Sequence, residues 1–346
     1  MMPTGLLSLG DLTTDAITGV RPTPAARHRS LVEQAVLAEQ VGFDSVHLGE
    51  HHFCEYILSA PQIVLGAIAE RTTNLRLSTG VTLGANLDPL RVAEDYATVD
   101  LLSGGRVEPV IGRGSYFPHV FDAFGQDARL ARSMFAEHVE LLCNVWSNEN
   151  VTWSGQHRPP IENVTVHPRP MQQPRPPIWL GAGSSMESID LAARLGLRLM
   201  LPTVFGTIDA FRPAVDRYIE QWDRSGHDPG LRRIGACHHC HVGRTTASAR
   251  AAMEPRYRTY IEWVNELTAW SSNGRSPGLG AFDFDRLAAT TAICGSPAEV
   301  IERMAKIRET LSLDTQILMF DFGGMPEDLL METIALTGTE VLPAFS

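Results

Sequence analysis

The length and composition of this chain describe a folded protein with a full apolar core. Of its 346 residues, 44% are hydrophobic and 20% are charged, a balance that excludes disordered and fibrous proteins. The 29 basic and 40 acidic residues give a formal net charge of −11, so the chain would repel phosphate backbones, and we expect no nucleic-acid partner. No apolar run reaches the length of a membrane span, so we expect no membrane partner either.

The cysteines favour a reducing compartment. Their number is odd, and they are Cys54, Cys143, Cys237, Cys240 and Cys294. This set is not a disulfide framework, and thiols remain reduced in the cytoplasm. The apolar stretch at residues 5–9 is too short for the core of a signal peptide. We therefore predict a cytoplasmic protein.

Short β-like runs alternate with helical stretches along the chain, which is the pattern of a parallel sheet with helices outside it. The predicted strands are residues 5–9, 45–49, 75–81, 106–111, 178–181, 197–201, 234–242 and 316–320. The predicted helices are residues 25–41, 62–70, 88–102, 129–146, 188–195, 208–225 and 297–310. Eight strands with intervening helices predict an α/β fold, a TIM (β/α)8 barrel that forms one domain over residues 1–346.

Two segments interrupt this alternation. A proline-rich connector at residues 159–177 should be extended and irregular, because proline fixes φ and removes a backbone donor. Residues 244–291 are too long for a single helix and include a turn-rich stretch at residues 271–278. We interpret residues 244–291 as an insertion after strand 7, which forms a lid region at the barrel mouth.

Polar and glycine-rich residues follow several of the predicted strands. A TIM barrel carries its active site at the carboxyl ends of its strands, so these residues are the candidates for chemistry. They lie in four segments, residues 50–53, 80–82, 112–116 and 182–185.

One group of candidates suits a phosphate. Ser184 and Ser185 lie between a strand and a helix whose first turn contains Ser188. A helix N-terminus exposes unpaired N–H groups and a partial positive charge, so hydroxyl residues there can hold an anion. Arg113 can add a bidentate contact from the neighbouring strand. The alternative for Ser184 is a plain N-cap, which is the commoner role of such a serine. Residues 181–186 lack the third glycine of a dinucleotide fingerprint, so we exclude a Rossmann site.

The histidines allow acid–base chemistry or metal binding. His51 or His52 can exchange protons near neutral pH, and because adjacent residues point in different directions we expect at most one to face the cavity. The metal alternative, a barrel hydrolase that uses these histidines with His47 and Glu50, lacks a His-x-His on the first strand.

A second histidine-rich run, residues 237–241, looks metal-like. Cys237 and Cys240 are three residues apart, so on a strand they face opposite sides and cannot hold one ion. We predict no metal site there, but buried strand residues, one histidine of which can face the cavity.

Residues 42–53 closely resemble the second-strand signature of the bacterial luciferase-like, flavin-dependent monooxygenase family. Family-like segments follow in the expected order at residues 88–95, 102–106, 112–114, 168–179 and 294–300. The resemblance covers nearly the whole chain except the insertion.

The resemblance implies a TIM barrel that binds reduced FMN at its mouth. It implies that the FMN phosphate contacts Arg113, Ser184, Ser185 and Ser188. The Gly80–Val81 link matches a position where the family often has a non-proline cis peptide against the flavin ring. His51 matches a histidine that handles protons, and Tyr116 matches a tyrosine near the flavin.

The implied reaction is a monooxygenation. Reduced FMN, supplied by a separate flavin reductase that uses NAD(P)H or reduced in place by a nicotinamide, would react with O₂ to a flavin hydroperoxide that oxidises a small organic substrate. Gly112 stands where luciferase has a reactive cysteine, so light emission and long-chain aldehydes are not implied. By analogy with the family we expect a homodimer formed through helices beside strands two and three.

Three other functions stay open. One is hydride transfer with the deazaflavin F420, although the residues 50–53 of this chain favour FMN. The others are a metal-dependent hydrolase and a flavin-binding protein without catalytic activity. The substrate should be set by the insertion and by the loops after residues 9 and 201.

Overall fold

The computed structural model describes residues 2–114, 116–183, 185–204, 206–276 and 278–345. Its strands are β1 (Thr4–Ser8), β2 (Ser45–Leu48), β3 (Arg76–Thr79), β4 (Thr82–Leu83), β5 (Val110–Gly112), β6 (Val151–Trp153), β7 (Ile161–Val164), β8 (Trp179–Gly181), β9 (Arg198–Leu201), β10 (Ile234–Val242), β11 (Ile293–Gly295) and β12 (Thr315–Met319). Its helices are α1 (Pro24–Gln40), α2 (Pro61–Ala69), α3 (Pro89–Leu102), α4 (His119–Ala123), α5 (Ala131–Ser147), α6 (Met186–Arg194), α7 (Arg212–Arg224), α8 (Thr246–Ser271), α9 (Phe284–Thr290), α10 (Pro297–Leu311) and α11 (Glu327–Leu336). None of the described helices has both the length and the apolar character to cross a membrane.

The strands form a nearly closed, mostly parallel barrel. Their order is β3-β2-β1-β12-β10-β9-β8-β5-β4, and β11 pairs with β10. Closure comes from a parallel bridge between Leu77 on β3 and Val107, just before β5. There the Leu77 amide donates to the Arg106 carbonyl, and the Glu108 amide donates to the Leu77 carbonyl, both at 2.9 Å. The predicted TIM barrel is confirmed.

Most helices begin where the sequence indicates. Pro24, Pro61, Pro89 and Pro297 each stand in the first turn of a helix, where the missing N–H would have no intrahelical partner. Gly42, just beyond α1, has a φ of +98°, which is a conformation that favours glycine. These signals explain why helix boundaries lie within a few residues of those predicted.

The segments that interrupt the alternation are more regular than expected. The proline-rich connector is not irregular throughout, because β7 lies in it and pairs antiparallel with β6 outside the barrel. Residues 244–291 form α8 and α9, and β11 follows them. Tyr260 and Val264 on α8 and Leu279 beyond it line the cavity at the carboxyl ends of the strands, so this segment contributes to the cavity wall.

A buried ion-pair network fastens the ends of β1 and β12 to α1. The Arg27 guanidinium contacts Asp321 and lies 3.9 Å from Asp11, and all three side chains are almost completely buried. Burial raises the pKa of the Asp321 carboxyl to about 6. One guanidinium therefore serves two buried carboxyl groups, which makes Arg27 structurally important.

Candidate active site

A cavity of about 460 Å³ lies at the carboxyl ends of the barrel strands. Its lining includes seven of the eight residues that the sequence singles out: His51, Gly80, Val81, Arg113, Tyr116, Ser185 and Ser188. The eighth, Ser184, lies outside the described residues. Residues that are as much as 137 positions apart in the chain therefore meet in one space.

Val81 forms part of the cavity wall. The Gly80–Val81 peptide bond is cis, at the position where the family resemblance implies one. A Cβ atom on Gly112 would stand 2.5 Å from Val81 Cγ2, and one on Gly181 would stand 3.1 Å from Val81 Cγ1. Glycines on two neighbouring strands thus leave the space that the Val81 side chain fills.

One end of the cavity combines hydroxyl and guanidinium groups with a helix N-terminus. Ser185 caps α6: its Oγ accepts from the Ser188 amide at 3.4 Å and from the Ser188 hydroxyl at 3.1 Å. Arg113 lines the same end, and its pKa is lowered by burial and then by the nearby Arg132. Two guanidinium groups beside a helix N-terminus make this end of the cavity positive.

Glu187, in the first turn of α6, opposes this positive charge. Its carboxylate accepts from the Ser185 hydroxyl at 3.1 Å and pairs with Arg132 at 2.6 Å. Hydrogen bonds from its own amide and from Ser185, followed by the charges of Arg132 and Arg113, lower its pKa. An acidic side chain therefore competes for the groups that an incoming anion would use.

His51 is an uncharged aromatic neighbour of the cavity. Its ring stacks on Tyr56 at 4.2 Å between centroids and meets the edge of Phe117 at 5.5 Å. Burial, and then the adjacent His52, lower the pKa of His51 to about 3. The imidazole is therefore neutral at pH 7, with nitrogen atoms that can accept or donate a hydrogen bond.

The expectation that at most one of the two adjacent histidines faces the cavity is wrong, because His52 also lines it. β2 ends at Leu48, so the strand alternation on which the expectation rested does not reach these residues. His52 Nε2 lies 2.7 Å from a carboxylate oxygen of the buried Glu50. The other Glu50 oxygen accepts from the Leu83 amide at 2.9 Å. Glu50 thus ties the loop after β2 to β4, a role that sequence reasoning missed.

The histidine-rich strand β10 contributes one residue pair to the cavity. Cys237 and His239 line it, as alternation along the strand requires. His239 Nδ1 lies 2.9 Å from the Tyr257 hydroxyl on α8, whereas His238 Nδ1 lies 3.1 Å from the Thr203 hydroxyl. The prediction that one histidine of this run faces the cavity is confirmed for His239. Within the described ranges, no three His, Cys, Asp or Glu side chains are grouped to hold a metal ion.

Further cavity residues come from the insertion and the barrel interior. The hydroxyl groups of Tyr56 and Tyr260 lie 2.8 Å apart, and both residues line the cavity. Met200 on β9 lines this cavity and also a polar cavity of about 810 Å³ that contains Arg76, Glu108 and Arg198. No local motif marks Tyr260 or Met200. Of these two residues, only Met200 could have been predicted, because it occupies an inward-facing position of a strand.

Comparison with known proteins finds one family and flavin-dependent relatives. The family model for luciferase-like monooxygenases matches residues 2–314. The oxygenase component of flavin-dependent trigonelline monooxygenase from Acinetobacter baylyi is 24% identical over 331 residues, which cover 91% of this chain and 89% of the relative.

Solved structures agree with the barrel over the whole chain. Monooxygenase RslO1 from Streptomyces bottropensis is 27% identical, with a TM-score of 0.86 and complete coverage of both chains. The oxygenating constituent of 3,6-diketocamphane monooxygenase from Pseudomonas putida, in complex with FMN, has a TM-score of 0.80 at 19% identity and covers 99% of this chain and 98% of its own. An F420-dependent secondary alcohol dehydrogenase has a TM-score of 0.77 at 19% identity and covers 100% of this chain and 99% of its own. At such low identity the last two show a shared fold alone.

Proposed function

We propose, because this chain belongs to the luciferase-like monooxygenase family, that it is an FMN-dependent monooxygenase that oxidises a small organic substrate with O₂. The observation that carries the proposal is the convergence of Arg113, Ser185 and His51 on one cavity, with Val81 on its wall. Apolar surface around Val81 thus lies between the anion-binding end at Arg113 and Ser185 and the neutral imidazole of His51.

The residues present fit FMN. The phosphate would take hydrogen bonds from the Ser185 and Ser188 hydroxyl groups and from Arg113, at the N-terminus of α6. We propose that Ser184 joins this group. The isoalloxazine ring would rest against Gly80 and Val81, where glycines on the neighbouring strands keep the wall clear of other side chains.

When bound, reduced FMN would supply two electrons, so that one atom of O₂ enters the substrate and the other leaves as water. His51, neutral at pH 7, would hold a proton between a ring nitrogen and the substrate or flavin by donating or accepting a hydrogen bond. Burial raises the pKa of the Tyr116 hydroxyl, which keeps its proton and would donate a hydrogen bond beside the ring. The apolar walls would exclude water from the reacting groups.

The proposal extends to partners and location. A separate reductase would supply reduced FMN, as the term oxygenase component implies for the trigonelline relative. A second copy of the chain would cover the exposed apolar residues of α2 and α3, which include Ile63, Leu101 and Leu102, at 72%, 47% and 52% exposure. Because all five cysteines are free thiols, a cytoplasmic location suits the chain.

The test is a parallel titration of the purified protein with reduced FMN, reduced F420 and riboflavin under anaerobic conditions, followed by mixing with O₂. We expect FMN to bind most tightly and bound reduced FMN to be reoxidised with kinetics that differ from those of free reduced FMN. Tighter binding of F420 with anaerobic hydride transfer to an added ketone would overturn the proposal in favour of an F420 enzyme. FMN binding without any change in its reaction with O₂ would indicate a binding protein.

A further inference from the structure

The half of the cavity on the side of β1, β12 and β10 lies across the barrel from β5, after which Arg113 follows, and it is uncharged. Among the described lining residues, Arg113 and Glu50 carry formal charges at pH 7. Arg113 is at the anion-binding end, and the Glu50 carboxylate is already occupied by His52 and the Leu83 amide. The other half is lined by Leu7, Ile317, Met319 and His239 from these strands, and by Tyr260 and Tyr56, which extend from His239 through ring and hydroxyl contacts.

Aromatic rings define the shape of this half. His51 and Tyr56 are stacked with an interplanar angle of 26°, and Phe117 meets the His51 ring edge-on. The Tyr260 ring, whose hydroxyl contacts that of Tyr56, lies 5.3 Å from the His239 ring between centroids. Flat aromatic surfaces favour a flat substrate, since they can stack against it or meet its edge.

His239 is a polar group of this half whose ring orientation is fixed by a hydrogen bond with a residue other than the cavity residues Tyr56 and Tyr260. The Tyr56 and Tyr260 hydroxyl groups are paired with each other. The His239 ring, by contrast, is fixed through Nδ1 by the Tyr257 hydroxyl at 2.9 Å. When that hydroxyl donates to Nδ1, the neutral imidazole carries its proton on Nε2. Nε2 is then a hydrogen-bond donor on a residue that lines the cavity.

The charges behind this wall disfavour an anion. Asp11 and Asp321 lie close enough to Tyr260 to raise the pKa of its hydroxyl, in addition to the larger effect of burial. The Arg27 guanidinium is shared by both carboxyl groups. A carboxylate substrate would lose its water and meet no cation in this half, and burial of an unpaired charge is costly.

We propose that His239, oriented by Tyr257, binds an oxygen atom of the substrate through Nε2–H, and that this subsite takes flat, uncharged molecules with such an oxygen. The inference rests on the proposed function, because it assigns the anion-binding end to the FMN phosphate. His239 and His51 then have separate tasks: His239 positions the substrate, and His51 handles protons.

The test uses three probes of one shape: 2-acetylnaphthalene, the hydrocarbon 2-isopropenylnaphthalene and 2-naphthoate. Calorimetry would measure their binding to the full-length protein with and without FMN. We expect the ketone to bind about fivefold more tightly than the hydrocarbon, which is the size of one net hydrogen bond. We expect 2-naphthoate to bind at least about tenfold more weakly than the ketone.

His239→Phe should weaken binding of the ketone about fivefold and leave binding of the hydrocarbon within about twofold, because the ring is kept and the donor is lost. Tyr257→Phe should reduce the preference for the ketone in the same direction, since it frees the His239 ring. Cys237→Ala, at a neighbouring lining position, should leave the preference unchanged. Equal losses for ketone and hydrocarbon in His239→Phe, tight binding of 2-naphthoate, or binding of none of the probes would overturn the proposal.

FMN affinity measured in the same variants separates the two proposals. In His239→Phe we expect it to stay within about twofold of the wild-type value, because β9 separates β10, which carries His239, from β8 and the N-terminus of α6. If the wild-type protein binds no FMN but shows the His239-dependent preference, the proposed function fails and the subsite stands. If FMN binds and the preference is absent, the subsite fails alone.

Discussion

Val81 Cγ2 lies 2.5 Å from the point where a Cβ atom would stand on Gly112. Gly112→Ala should therefore force Val81 out of its position and cost about 1–3 kcal/mol of stability, with a loss of FMN affinity. Denaturant unfolding and FMN titration would measure the two effects.

Val81 and a glycine in an open position, Gly66, supply the controls for the Gly112→Ala prediction. Val81→Ala removes the clashing Cγ atoms, so Gly112→Ala combined with Val81→Ala should recover most of the lost stability. Gly66→Ala on α2, whose new Cβ would have its nearest neighbour at 4.0 Å, should be neutral or stabilising. Failure of the double variant to recover would mean that another contact limits the space at Gly112.

Arg113→Ala should weaken FMN binding at least about tenfold more than riboflavin binding, because a charge-assisted contact to the phosphate is lost. Arg113→Lys should keep the charge but not the bidentate geometry, and should give an intermediate loss. Fluorescence titration with both flavins gives the ratio. Equal losses for FMN and riboflavin would remove Arg113 from the phosphate site.

Glu187→Gln should tighten FMN binding several-fold. The carboxylate holds Ser185 and Arg132, and its negative charge opposes that of a phosphate at the N-terminus of α6. Riboflavin affinity should not change, and the gain should shrink at high salt because Glu187 is exposed. Weaker FMN binding in this variant would instead mean that Glu187 organises the site.

Arg27→Met should destabilise the fold by about 3–5 kcal/mol, because it leaves the buried Asp11 and Asp321 carboxyl groups without their cation. The matched control is Arg71→Met. Arg71 pairs with Glu33 at the surface, where loss of an ion pair costs about 0–1 kcal/mol. Urea unfolding of both variants compares them, and similar losses would show that the buried network does not stabilise the barrel.

Stability should fall steeply as the pH drops below about 6.5. Burial lowers the pKa of five enclosed imidazoles, to about 4 for His47 and His241 and to about 3 for His51, His238 and His239. The unfolded chain therefore binds more protons, so stability rises with pH from about 4 to 6.5, by about 1.4 kcal/mol per pH unit for each histidine. Asp321, with a pKa of about 6, and Asp11, whose pKa burial also raises, act in the opposite direction.

Urea unfolding between pH 4.5 and 7.5 measures the net effect of these groups on the free energy of unfolding. In His238→Gln the slope should decrease by about 1.4 kcal/mol per pH unit, since one of these proton-binding groups is removed. A free energy of unfolding that does not change over this range would contradict the assignment of neutral, buried histidines.

The barrel was predictable because its strands have short apolar runs and its helices begin with proline and end with glycine. The phosphate end was predictable for a related reason, because strand ends meet at one edge and Arg113, Ser185 and Ser188 all follow strands. β11 is three residues long, and β7 follows two prolines directly, so neither has a pattern that stands out from a loop.

The substrate half was harder to foresee. Tyr257 and Tyr260 reach His239 only because α8 folds back over the barrel, and no local spacing relates α8 to β10. His52 was misjudged because the chain leaves the strand at Leu48, and Phe53 has a φ of +58°, so side chains there follow no alternation. Contacts that depend on loop conformation or on distant packing are not encoded in periodicity.

The flexible side chain of Met200 borders two cavities inside the barrel. Since Met200 faces both the apolar cavity and the polar one beneath it, its length sets how well they are separated. Shortening Met200 would connect the two cavities, so that water, oxygen or small solutes would reach the apolar cavity from the amino-terminal ends of the strands.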